Sequence, residues 1–160
     1  MNNIIGSDIG LVHLIASLIA MISGQVVLSM KKGTKLHKQI GYLYVFSMLV
    51  LNATAFMTYR LFGGFGIFHF AAIGSSLTIM AGILPAIRRK NKSCIYRHFT
   101  FMYWSVIGLY AAFASEALTR IPETPFFGMV GIATALIMAI GAVIFVRYKK
   151  IWKQQFVQSV

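Results

Sequence analysis

Four histidines, at positions 13, 37, 69 and 98, are the only imidazoles in the chain, and their surroundings repeat. His13 follows Gly10 by three residues, and His69 follows Gly66 by three. His37 precedes Tyr42 by five residues, and His98 precedes Tyr103 by five. A unit G-x-x-H … H-x4-Y therefore occurs twice, with 24 residues between the first pair of histidines and 29 between the second. Imidazoles so disposed can do one of two kinds of chemistry. Two neutral rings facing each other can hold the iron of a haem b from both sides, with burial and nearby charge setting its potential. Imidazoles joined by a carboxylate or a thiolate can instead hold zinc or copper.

Each chemistry names its residues. For haem, the repeat pairs His13 with His69 and His37 with His98. Propionates at the His37 level have Lys35, Lys38, Arg97 and Tyr103 within reach, and at the other level Tyr59, Arg60 and Arg120. Gly24, Gly74, Ser75, Gly82 and Gly108 are small enough to leave room for a porphyrin. For a metal ion, Glu116 is the only acid inside an apolar run. With His13 and His69 it makes a His2Glu set with an open fourth position, the arrangement of hydrolytic zinc sites. Cys94 stands four residues before His98 and, with His37, suits copper or zinc.

A third reading needs no cofactor. Histidines near the ends of membrane spans can anchor the interface as Tyr and Trp do. Glu116 and Arg120 can form an i, i+4 ion pair. The chain would then bind a partner or assist assembly, and bind neither haem nor metal.

The elements that position these residues follow from composition. With 58% hydrophobic and 11% charged residues, the chain departs from soluble domains, where about a quarter of residues are charged. Five apolar runs, near 9–30, 39–60, 65–87, 98–119 and 126–147, each reach the roughly 20 residues that cross a bilayer as a helix. Lipid offers backbone groups no partners, and the runs lack the alternation of a barrel strand, so each is expected to be helical. The expected fold is all-α: a polytopic membrane protein of five transmembrane helices in one domain, 1–148, followed by a basic amphipathic tail, 149–160.

The histidine repeat then acquires a geometry. A parallel two-helix repeat implies a pseudo-two-fold axis along the membrane normal, with helices 1 to 4 forming a bundle and helix 5 beside it. His13 and His69 would share the outer level and His37 and His98 the inner one, about 25 Å apart along helices of 1.5 Å rise. Sites between facing helices of a bundle are a usual place for cofactors. The layout is similar to that of transmembrane di-haem b-type cytochromes. Helix 5 has only Thr134 as a polar side chain within 126–145 and is assigned packing or association and no chemistry.

Thirteen of the fifteen Lys and Arg fall near 31–38, 88–97 and 147–153, which by the positive-inside rule puts the N-terminus outside and the C-terminus in the cytoplasm. No Lys or Arg precedes Lys31, so the first run is expected to be a retained span and not a signal peptide. The net charge of +12 is divided among short loops and suits anionic headgroups, not nucleic acid. A single cysteine, Cys94, permits no intrachain disulfide. The tail interleaves Ile151, Trp152, Phe156 and Val157 with cations, as a helix lying on the membrane surface would.

The runs KGTKLHKQIGYLYVFSMLVLNATAF, FGIFHF and RHFTFMYWSVIGLYAAFASEALTR resemble a family of predicted bacterial membrane proteins, domain of unknown function 2306, over about residues 10 to 145. The resemblance implies an integral membrane protein whose His13, His37, His69, His98 and Glu116 lie in motif segments, and it implies no particular activity. Partners consistent with the haem reading are a quinone or another redox membrane protein.

Overall fold

Each apolar run becomes one helix: α1 Asp8–Ser29, α2 Lys35–Met57, α3 Ile67–Arg88, α4 Lys92–Leu118 and α5 Phe126–Gln158. The computed structural model describes residues 8–57, 64–88, 92–119 and 125–158. All five helices are long and apolar enough to cross a membrane. Among the described residues there is no strand. The chain divides into two compact units, Met1–Ser76 and Leu77–Val160, with the boundary inside α3.

In the first unit, α1 packs along α2. The face α1 buries is made of small side chains: Ala16, Ser17, Ala20, Ser23 and Gly24, with Val27 at its end. Its large apolar residues, among them Leu11, Ile15, Leu18 and Ile22, are exposed. That inverts a soluble helix. Lipid solvates Leu and Ile well, so helices associate by close backbone approach over small residues. Ala16, Ala20 and Gly24 recur every four residues and stack on one face. Against them α2 buries larger groups, Tyr44, Met48 and Leu51.

The connection from α1 to α2 is a built turn. Lys32 Nζ donates to the carbonyls of Val27 (2.8 Å) and Leu28 (2.6 Å), which end α1 without helical partners. Gly33 takes a φ of 81°, a left-handed conformation that glycine adopts without strain. Thr34 Oγ1 then accepts the amide N–H of His37 at 3.0 Å and caps α2. Because this cap lies in the loop, α2 begins at Lys35, four residues before the apolar run begins.

In the second unit, α4 packs along α5. Ser115 Oγ and Thr134 Oγ1 lie 3.0 Å apart at one end, and Tyr103 Oη donates to Gly141 O (2.8 Å) further along. Gly141 is required here, since a Cβ would stand 2.7 Å from Ile107 Cγ2. The basic tail, expected as a separate surface helix, is instead the unbroken continuation of α5 to Gln158. Trp152 turns inward against Phe99 (4.9 Å between ring centroids), Tyr103 (5.5 Å) and Tyr148 (5.8 Å).

Candidate functional site: the histidine environments

The histidines are read best through their ring nitrogens. On α1, half-buried His13 places Nδ1 2.9 Å from Thr54 Oγ1 of α2. That hydroxyl also lies 2.9 Å from the carbonyls of both Val50 and Leu51. With its single proton on one of those carbonyls, the oxygen accepts from His13 Nδ1–H. In the neutral ring Nε2 then carries the lone pair.

His69 is arranged in the opposite sense. It is 3% exposed, and its Nδ1 accepts the amide N–H of Gly66 at 3.0 Å, while its own amide donates to Gly66 O at 3.0 Å. Gly66 is the residue before α3 and His69 the third within it. The pair forms a reciprocal capping box in which imidazole takes the role usually played by Glu or Gln. A neutral ring accepting at Nδ1 carries its proton on Nε2. Phe65 stacks on this ring at 4.7 Å, and Phe56 lies at 6.3 Å. The spacing G-x-x-H, which suggested a ligand, thus also serves to start a helix. At Gly10 and His13 the same spacing lies inside α1, and no such cap forms.

His98 lies in the second unit and repeats the arrangement of His13. Its Nδ1 is 2.8 Å from the carbonyl oxygen of Gly82, which can only accept, so Nδ1 bears the proton. Gly82 makes this possible. A Cβ there would stand 2.8 Å from Met102 Sδ and 3.3 Å from Phe101 Cβ, so only glycine lets this part of α3 approach α4 so closely. Three residues on, Pro85 stands inside α3. It has no amide for the carbonyl of Ala81, and neighbouring helices commonly make good such gaps within membranes. An imidazole whose Nδ1–H rests on a backbone carbonyl is oriented as metal-ligating histidines are, with Nε2 as the donor atom.

His37 sits in the first turn of α2, half-buried, with Nδ1 inside the protein. Tyr103, offered by the sequence to a haem propionate, is 4% exposed and gives its hydroxyl proton to Gly141. Arg97 is exposed and Glu116 half-buried. Cys94 is half-buried and four residues from His98, on the same side of α4. Arg120, Arg60 and Tyr59 lie outside the described residues. Among the described residues no group of three or more His, Cys, Asp or Glu side chains is gathered as a metal ion would need.

The family DUF2306, described as a predicted membrane protein, matches residues 10–152. The chain belongs to this family. The match reaches into all five helices and takes in all four histidines. No curated protein and no solved structure matches the chain.

Two residues fix the rings without being marked as such by the sequence: Thr54 is one polar side chain in an apolar run, and Gly82 suggests only room. A threonine or glycine in an apolar run carries no mark of which imidazole it meets. Asn52 bonds between helices: it is 6% exposed, and its amide donates to Ser76 Oγ (3.0 Å) and Ser75 Oγ (3.4 Å) of α3.

Proposed function

We propose that this family member is a haem b protein of the bacterial cytoplasmic membrane that passes electrons between a quinone or redox partner and an external carrier. The observation that carries the reading is His98: an imidazole within a membrane span whose Nδ1–H is held by Gly82 O, which puts the ring's lone pair on Nε2. His13, set by Thr54 in the same tautomer, is the second candidate ligand. Haem b would supply one-electron redox chemistry. The protein's part is to fix ring orientation, exclude water and set charge. Gly82 O and Thr54 Oγ1 do the first, since a hydrogen bond to the distal ring nitrogen also raises imidazole basicity. The apolar spans do the second. Lys35, Lys38 and Arg97 are cations suited to propionates. A Cβ on half-buried Gly108 would meet nothing within 4 Å, which is consistent with room beside α4.

The test is haem retained per chain. Protein expressed with haem supply and purified in mild detergent is expected to carry non-covalent haem b by the pyridine haemochrome assay. Colourless, folded protein would overturn the reading. Zinc or copper is the second reading, favoured only by the i, i+4 spacing of Cys94 and His98. Elemental analysis of the same sample decides it.

A further inference from the structure

The basic end of the α4–α5 hairpin concentrates positive charge on the surface. Arg97 on α4, and Arg147, Lys149, Lys150 and Lys153 on α5, are all exposed. The chain has three acidic side chains, and none of them is on α5. Asp8 opens α1, Glu116 lies near the other end of α4, and Glu123 falls between α4 and α5 in sequence. α5 carries no acid of its own to neutralise these cations.

Depth says what they meet. The run from Phe126 to Val146 is free of charge and, at 1.5 Å per residue, spans about 31 Å, the thickness of a hydrocarbon core. The headgroup layer adds roughly 5–8 Å on each side. Arg147, Lys149 and Lys150 therefore start at headgroup depth, and Lys153, about 10 Å past Val146, starts just beyond it and reaches back along its long side chain. Because Trp152 meets Phe99 at 4.9 Å, Arg97 of α4 shares that depth.

The helix fixes the lysines against each other. Trp152 is turned to α4, held by Phe99 and Tyr103. Lys149 and Lys153, three before it and one after, fall together on one flank, about 6 Å apart as i, i+4 neighbours. Two ammonium groups on stems rooted that close can both reach one phosphodiester, beside an aromatic edge suited to the interface.

We propose that Lys149 and Lys153, flanking Trp152, form a headgroup site for an anionic phospholipid. The site is independent of any haem. It draws a negatively charged phosphate ester out of the bilayer in preference to a zwitterionic one, and by neutralising the end of the hairpin it ties α5 to its membrane.

The experiment uses Trp152 as the reporter in a full-length Trp104→Phe background, reconstituted in phosphatidylcholine vesicles. Phosphatidylglycerol brominated near the headgroup end of its chains is compared with equally brominated phosphatidylcholine at the same mole fraction. The expected result is several-fold stronger quenching at low fraction by the anionic lipid, weakened by salt. Lys149→Gln/Lys153→Gln should remove the excess, and Lys149→Arg/Lys153→Arg should keep it. Equal quenching in the parent, or an excess that survives the glutamine pair, would overturn the proposal. Helical circular dichroism of each variant separates loss of binding from loss of fold.

Discussion

The Nδ1 of His98 and the carbonyl oxygen of Gly82 meet at 2.8 Å, where α3 and α4 approach over a residue with no side chain. This contact decides which ring nitrogen can act as a ligand, and it depends on the approach. In Gly82→Ala the new Cβ would stand 2.8 Å from Met102 Sδ and 3.3 Å from Phe101 Cβ. The thioether can swing aside, but a Cβ fixed to the α4 backbone cannot. The variant is expected to lose about 1–3 kcal/mol, the usual cost of overpacking. Unfolding in mixed micelles measures this, and an unchanged midpoint would show that the helices are not held at this distance.

The capping role of His69 separates two substitutions. Gln at the third helical position can accept the Gly66 amide as imidazole does, and Ala cannot. His69→Gln should keep most of the stability. His69→Ala should lose about 1 kcal/mol for the cap and a further amount for the space left beside Phe65. If His69→Gln instead removed bound haem while leaving the protein folded, the ring would be acting as a ligand.

Gly141 and Ile107 should be coupled. A Cβ on Gly141 meets Ile107 Cγ2 at 2.7 Å and Cγ1 at 3.1 Å. Gly141→Ala is expected to cost about 1–3 kcal/mol alone, and to cost less when Ile107→Ala removes the obstructing atoms. A double-mutant cycle reads the coupling. Strict additivity would place the two residues out of contact.

Lys32 lies between α1 and α2, and burial lowers its ammonium pKa from 10.5 to about 8. The unfolded chain keeps this proton up to about 10.5, whereas the folded chain releases it near 8. Between those values the unfolded state binds more protons, so stability contributed through Lys32 rises with pH across this window. Below about 8 both states are protonated and the cost of burying the charge is fully present. Carbon-13 NMR of dimethylated lysines should show one resonance titrating near pH 8 that disappears in Lys32→Arg. The wild type should also gain stability relative to that variant between pH 8 and 10. A Lys32 midpoint at the ordinary value would contradict the burial.

The spans were legible because the bilayer imposes a length on any apolar run, and all five recur as helices. Their ends were less so. Hydropathy marks where lipid begins, but backbone hydrogen bonding continues beyond it. Accordingly α4 starts at Lys92 and α5 runs to Gln158, through residues too cationic to be assigned to a span. The four histidines were visible as rare groups in recurring contexts. Their ring nitrogens were not, because a three-residue spacing marks a shared helix face or a capping box depending on where the helix starts. At His69 the start lies at Gly66; at His13 the helix is already under way. The partners that fix tautomers, Thr54 and Gly82, come from other helices and leave no periodic trace.

If His98 is a haem ligand, a reduced-minus-oxidised visible difference spectrum of purified wild type and His98→Ala reads it out. The wild type should show a Soret shift and the sharp α-band of a six-coordinate low-spin b-type haem. His98→Ala, matched for helical content and yield, should lose that band or convert it to a high-spin form. A featureless wild-type spectrum after expression with haem, or an α-band unchanged in His98→Ala, would contradict it.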